Sequence, residues 1–170
     1  MADTQPVPED VDWVALAPRA RRLFYIRSIL GLTFFWVPAC FGISVGLAVF
    51  LPAWAAVAGA ASIFFLLFLE AVWMPWLEYQ RWGYALRPAD LLVRRGVFFR
   101  RVTAIPTGRV QHVDTRQGPL EQWMQLVRLQ VFTASGLGAD AVIPGLDRKA
   151  ADAIRDRLMD RVEKADDDGV

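Results

Sequence analysis

Four arginines carry the clearest chemical signal in the sequence. Arg94 and Arg95 precede Gly96, and Arg100 and Arg101 follow it. A tight turn at Arg95-Gly96 between two short strands brings both pairs to one hairpin tip. Guanidinium groups are planar forks of donors that match phosphate oxygens, and each base held near an anionic leaflet contributes about 1 kcal/mol. The chemistry on offer is the holding of an anion, above all a lipid headgroup. A plainer use is equally consistent with the residues, because charge on a hairpin edge keeps an exposed strand from pairing with other chains.

Nothing else in the chain has the spacing of a reactive site. There is no GxGxxG, no GxxxxGK, no GxSxG and no HExxH. His112 is the one histidine and sits in a predicted strand beside Val113. The one cysteine, Cys40, lies in a distant apolar run, so no thiolate or imidazole set for a metal forms and no disulfide within the chain is possible. Asp114 and Glu121 are the acids nearest His112, but closeness in sequence does not make a proton-transfer pair. Thr133 and Ser135 beside Gly136 could cradle an anion on backbone N–H groups or simply close a hairpin loop. These residues point to a protein that is not an enzyme, with no cofactor and no metal. The balance of 19 basic and 18 acidic residues does not point to nucleic acid.

The elements that must position the arginines begin with residues 28–69, forty-two in a row without Asp, Glu, Lys, Arg or His. A bilayer core of about 30 Å takes about 20 apolar residues per helix, so this run predicts two crossings. Pro52 disrupts helical geometry at Leu51 and cannot donate a backbone N–H. Spans of about 28–50 and 53–69 follow, joined by a tight turn. Small residues recur four apart at Gly42 and Gly46 in the first span, and at Ala55/Gly59 and Ala56/Ala60 in the second. Such spacing lets helix backbones approach closely, either within the hairpin or between two copies of the chain.

The flanks give an orientation. Residues 1–18 read as a mobile tail, since residues 1–12 hold four acids and no base and lack the pattern of a secretory leader. Arg19, Arg21, Arg22 and Arg27 then precede the hairpin among aromatic residues, Trp73, Trp76, Tyr79 and Trp82 follow it, and the turn carries no charge. Bases remain on the cytoplasmic side and Trp and Tyr mark the headgroup level, which predicts an inner or plasma membrane protein with both termini inside. The recurrence of those aromatic residues at three-residue intervals predicts a helix continuing past Leu69 through the interface, with Pro75 tolerated inside it.

After Trp82 the pattern becomes that of short strands with turn signals every 8–12 residues: 84–86, 90–95, 97–105, 109–116, 128–134 and 141–143, with a short helical stretch at 120–126. They predict an antiparallel sheet, curled or sandwiched. Asp147 caps an amphipathic helix to about Lys164, with Ala151, Ile154, Leu158 and Val162 on one stripe, and an acidic tail follows at 165–170. The domain runs over 83–164, after a membrane part at 19–82.

The order of Arg81-Trp82-Gly83-Tyr84-Ala85-Leu86, Leu91-Leu92-Val93-Arg94-Arg95-Gly96, Ile105-Pro106, Arg109-Val110-Gln111-His112-Val113, Gln117-Gly118-Pro119-Leu120 and Thr133-Ala134-Ser135-Gly136 resembles the bacterial PH-like, YdbS-type membrane proteins. The resemblance covers about residues 23–161. One departure is Gln125, where such proteins often carry glycine. The resemblance implies an α+β fold: a transmembrane helical hairpin, then a small antiparallel split barrel of two sheets capped by the C-terminal helix. A small β domain with no catalytic constellation, held close to a membrane hairpin, points to a membrane-anchored binding or scaffold module whose partner is another membrane protein or itself, with anionic membrane lipids read through the four arginines as the alternative. The resemblance adds an envelope-stress role beside a larger multi-domain relative.

Overall fold

Pro52 starts the second long helix rather than ending the first, because its carbonyl accepts the first helical bonds from the N–H groups of Ala55 (2.8 Å) and Ala56 (3.1 Å). The computed structural model describes residues 11–134 and 138–167. Ser135 and Gly136 therefore lie outside the described residues, as does residue 1–10 of the expected tail. The chain divides into two units, one of residues 21–77 and one formed by the chain on either side of it.

The first unit is helical. Helix α1 (Ala20–Gly31) leads into a π-helical turn at Leu32–Trp36 and then α2 (Val37–Leu47); α3 runs from Ala53 to Arg81. In the wide turn the Val37 N–H reaches back five residues to the Leu32 carbonyl. Pro38, which has no N–H to donate, follows directly, and a single widened turn is how a helix accommodates such a residue without breaking. Both helical stretches, Ala20–Leu47 and Ala53–Arg81, are long and apolar enough to cross a bilayer. Large apolar side chains such as Phe34, Phe35, Phe41 and Trp54 are exposed on them, the surface expected when lipid is the solvent. Helix α3 continues past Leu69 to Arg81 with Pro75 inside it, as the aromatic spacing predicts.

The second unit holds two antiparallel three-stranded sheets. The first has β1 (Gly83–Leu86), β2 (Asp90–Arg95) and β3 (Arg101–Pro106) in that order; the second has β4 (Val110–Arg116), β5 (Leu126–Thr133) and β6 (Ala141–Asp147). They remain two sheets rather than one closed barrel. The short helix α4 (Pro119–Trp123) joins β4 to β5, and α5 (Arg148–Asp167) packs on β4, β5 and β6. Its stripe of Ala151, Ile154 and Leu158 is buried with Leu91, Leu92, Leu126, Leu129, Val131, Ile143 and Leu146 in the core. Arg161 donates from Nη1 to the Arg87 carbonyl at 2.6 Å, which pins α5 to the β1–β2 turn. In that turn Arg87 is paired with Asp90, Nε to Oδ1 at 2.7 Å, and this hydrogen bond holds the Arg87 pKa above its ordinary value.

Three features differ from expectation. Residues 11–18 were expected in the tail, yet Val14 bridges Tyr84 through two backbone bonds of 2.8 and 3.0 Å, the Ala17 N–H donates to the Gly145 carbonyl at 3.2 Å, and Leu16 is buried. This segment extends the first sheet beyond β1 and covers its edge, which an unpaired strand otherwise leaves open. Strand β6 runs on through Pro144 to Asp147 because it is an edge strand, where a missing N–H is tolerated; Pro144 and Gly145 form a bulge opposite Arg128. Gln125 has φ +57, the left-handed region in which glycine is most at ease. Glycine would fill this position without strain, and Gln125 occupies it here.

Candidate functional site

Strand register decides what the four arginines can do together. The β2–β3 ladder ends with Arg95 directly opposite Arg101, while Arg94 is paired with Val102. Side chains alternate faces along a strand, so Arg95 and Arg101 share one face and Arg94 occupies the other. Arg95, Arg100 and Arg101 are exposed. Arg94 is turned into the packing: its guanidinium lies over the Trp13 ring, 4.6 Å from the centroid, and its Nε is buried without a hydrogen-bond partner. Gly83, its cross-strand partner, makes room, because a Cβ there would lie 2.8 Å from Arg94 Nε. The expected four-arginine cluster is therefore three free forks plus one held by stacking.

The structure adds a fifth base to the cluster, Arg81. Arg81 and Gln80, from the last turn of α3, line a recess of about 170 Å³ with Arg94, Arg95, Gly96, Arg100, Arg101 and Val102. None of these arginines has a carboxylate partner among the described residues. Like charges directly opposite on a sheet are destabilising, so the Arg95–Arg101 pair is a place where an anion would relieve repulsion. The signal for Arg81 in the sequence was its closeness to Gly83, which register places opposite Arg94.

The tip is residues 96–100. Gly96 has φ +105, and a Cβ there would sit 1.9 Å from the Phe99 carbonyl oxygen, so only glycine makes this turn. Strand β3 starts at Arg101, not at Val97 as the apolar run suggested. Residues 97–99 are left off the ladder, with Phe98 79% and Phe99 91% exposed. Two phenylalanines confined between Gly96 and Arg100 were the overlooked signal.

The other expected site residues fall elsewhere. Trp73 and Trp76 are exposed on α3, whereas Trp82 is buried. Helix α3 ends at Arg81 and β1 begins at Gly83, so Trp82 belongs to the folded domain and not to the exposed aromatic face. Arg21 and Arg22 are exposed on α1. Arg19 instead lines a cleft with Gln117, Gln122 and Gln125. Gly42 and Gly46 are exposed, and an added Cβ at Gly42, Gly46 or Gly59 would meet nothing within 4 Å; Ala56 and Ala60 are the buried small pair. His112 stacks on Phe132 with centroids 4.3 Å apart, and Glu121 is buried against Arg128 at 2.7 Å. Both are packing arrangements. Thr133 shares the Asp140 carboxylate through its N–H at 2.9 Å and its hydroxyl at 2.7 Å.

An apolar helix pair followed by two small antiparallel sheets and a closing helix defines a membrane-associated PH-like protein, and comparison with known sequences agrees. Residues 32–162 match the family described as Bacterial PH domain, and the chain belongs to that family. It is 31% identical over 110 residues to the UPF0699 transmembrane protein YdbS of Bacillus subtilis, covering 59% of this chain and 67% of that one. It is 27% identical over 94 residues to the UPF0699 transmembrane protein YdbT of the same organism, covering 55% of this chain but 19% of the relative. No solved structure matches. The chain is a membrane protein with transmembrane helices and a bacterial PH domain.

Proposed function

We propose that this protein is a non-enzymatic module anchored in the cell membrane with both termini cytoplasmic, and that its β2–β3 hairpin binds anionic lipid headgroups. The observation that carries the reading is the recess lined by Arg81, Arg94, Arg95, Arg100 and Arg101 with no acidic residue in its wall. Arginine forks are suited to phosphate, and the opposed Arg95–Arg101 pair gains most from an anion between its members. The orientation rests on the exposed Arg21, Arg22 and Arg27 before the hairpin and on its uncharged turn. Only Trp82 separates α3 from β1, so the chain between helix and domain is short.

The test uses the full chain, extracted gently and examined by native mass spectrometry for retained lipid. The expected result is preferential retention of phosphatidylglycerol over phosphatidylcholine, lost in the triple variant Arg95→Gln, Arg100→Gln, Arg101→Gln. Equal retention of both lipids, or retention unchanged in the variant, sinks the reading. A second reading, association with another membrane protein or with a second copy of itself, is favoured by the exposed Gly42 and Gly46. Small residues four apart at a helix surface let another helix approach closely. Crosslinking at Gly42→Cys in a Cys40→Ala background reads it directly: a disulfide dimer is expected in membranes, and a chain that stays monomeric there removes self-association through that face.

A further inference from the structure

We infer that the tip of the β2–β3 hairpin is a membrane wedge, with Phe98 and Phe99 entering the acyl region of the anionic leaflet while Arg95, Arg100 and Arg101 hold its phosphates. The inference rests on the headgroup reading above and adds the occupant of an apolar surface that this reading leaves open. Hairpin tips in water favour Gly, Asn, Asp and Pro for conformational reasons, yet here Val97, Phe98 and Phe99 fill the turn. The two rings are 79% and 91% exposed, far more than the scattered partial exposure normal on a protein surface.

The surroundings of these rings identify what covers them. Every charged side chain lining the recess at the base of the tip is an arginine, from Arg94, Arg95, Arg100 and Arg101 of the hairpin and Arg81 of α3. A surface with apolar rings at its apex and bases behind them is complementary to a bilayer, which offers hydrocarbon under a layer of anions. A partner protein needs no such ordering of charge behind the apolar residues. Gly96, at φ +105, turns the chain so that Phe98 and Phe99 stand at the apex of the hairpin. Helix α3, one of the two long apolar helices, ends at the Arg81 that lines the same recess.

The experiment places a nitroxide at Phe99→Cys in a Cys40→Ala background, using the full chain in lipid nanodiscs of mixed phosphatidylcholine and phosphatidylglycerol. A control label replaces the exposed Asp156 on α5. Collision with oxygen, which partitions into hydrocarbon, is compared with collision with a water-soluble nickel chelate. The wedge predicts a label at 99 that is oxygen-rich and severalfold poorer in nickel collisions than the label at 156. Equal nickel access at both sites overturns the inference. So does a label at 99 shielded from both reagents, because that outcome means a protein covers the tip. Phe98 and Phe99 are outside the core, so Phe98→Ser with Phe99→Ser provides an independent arm: phosphatidylglycerol retention should persist in that variant. Retention with a nickel-exposed tip defeats the wedge and leaves the headgroup reading standing. Loss of lipid preference with an oxygen-rich tip does the reverse.

Discussion

Replacing Gly145 with alanine should detach the N-terminal segment from the domain it edges. Gly145 has φ +65, and a Cβ built on it lies 2.4 Å from the Ala20 Cβ. Carbon atoms in good contact are about 3.5–4.0 Å apart, so the overlap exceeds about 1 Å. A left-handed φ adds about 1–2 kcal/mol for any residue with a Cβ, and a forced methyl in a packed site adds about 1–3 kcal/mol. The alternative is for residues 14–20 to lift away. That forfeits burial of Leu16, worth about 1.5–3 kcal/mol, together with the bonds linking Val14 to Tyr84 and Ala17 to Gly145. The two routes are of similar size, about 3 kcal/mol, and since every 1.4 kcal/mol is tenfold in an equilibrium constant, local opening should rise about 100-fold. Amide hydrogen exchange of the full chain in nanodiscs reads this residue by residue. Val14, Ala17 and Tyr84 amides should exchange far faster in Gly145→Ala, while the core amides of Leu129 and Val131 change little. If all five exchange as in the parent chain, the N-terminal segment is not held by Gly145 and its assignment to the sheet fails.

Gln125→Gly should stabilise the domain by about 0.5 kcal/mol, the relief of a left-handed φ (about 1–2 kcal/mol) less the added chain entropy of glycine (about 0.4–1 kcal/mol); a lower thermal midpoint than the parent contradicts the strain argument. Leu158→Ala, at a fully buried site on α5, should cost about 2–5 kcal/mol, read as a lower denaturation midpoint, and a loss under about 1 kcal/mol would show that α5 does not close the core. In single-tryptophan variants Trp76 should be quenched by lipid-borne bromine at shallow depth. Trp82, buried in the domain, should emit blue-shifted light whatever the bilayer carries; strong acrylamide quenching of Trp82 contradicts its burial.

The parts of the fold that are local in sequence were legible in it. An uncharged run of forty-two residues interrupted by Pro52 has few solutions other than a helical hairpin, and the spacing of Ala151, Ile154 and Leu158 matches the buried face of α5. What escaped depends on distant pairing. Val14 meets Tyr84 across seventy residues of chain, and nothing in a mixed stretch such as Trp13-Val14-Ala15-Leu16 distinguishes a sheet edge from an interfacial segment. The arginine cluster was half legible. Its composition is plain, but the turn length sets the register, and the register sends Arg94 to Trp13 and Arg95 to Arg101. Strand β6 was cut short at Pro144 because an edge strand and an interior strand look alike until the sheet order is known.

The central claim is that the β2–β3 hairpin docks on an anionic leaflet, and hydrogen exchange at the tip tests it most directly. With the full chain in nanodiscs, the amides of Val97, Phe98, Phe99 and Arg100, which no strand pairing protects, should exchange slowly when the discs contain phosphatidylglycerol. They should exchange fast in pure phosphatidylcholine, and protection should weaken as salt is raised past the point where the screening length falls below about 8 Å. Exchange at the tip that is equally fast in both discs, with α5 unchanged as the internal reference, contradicts the account.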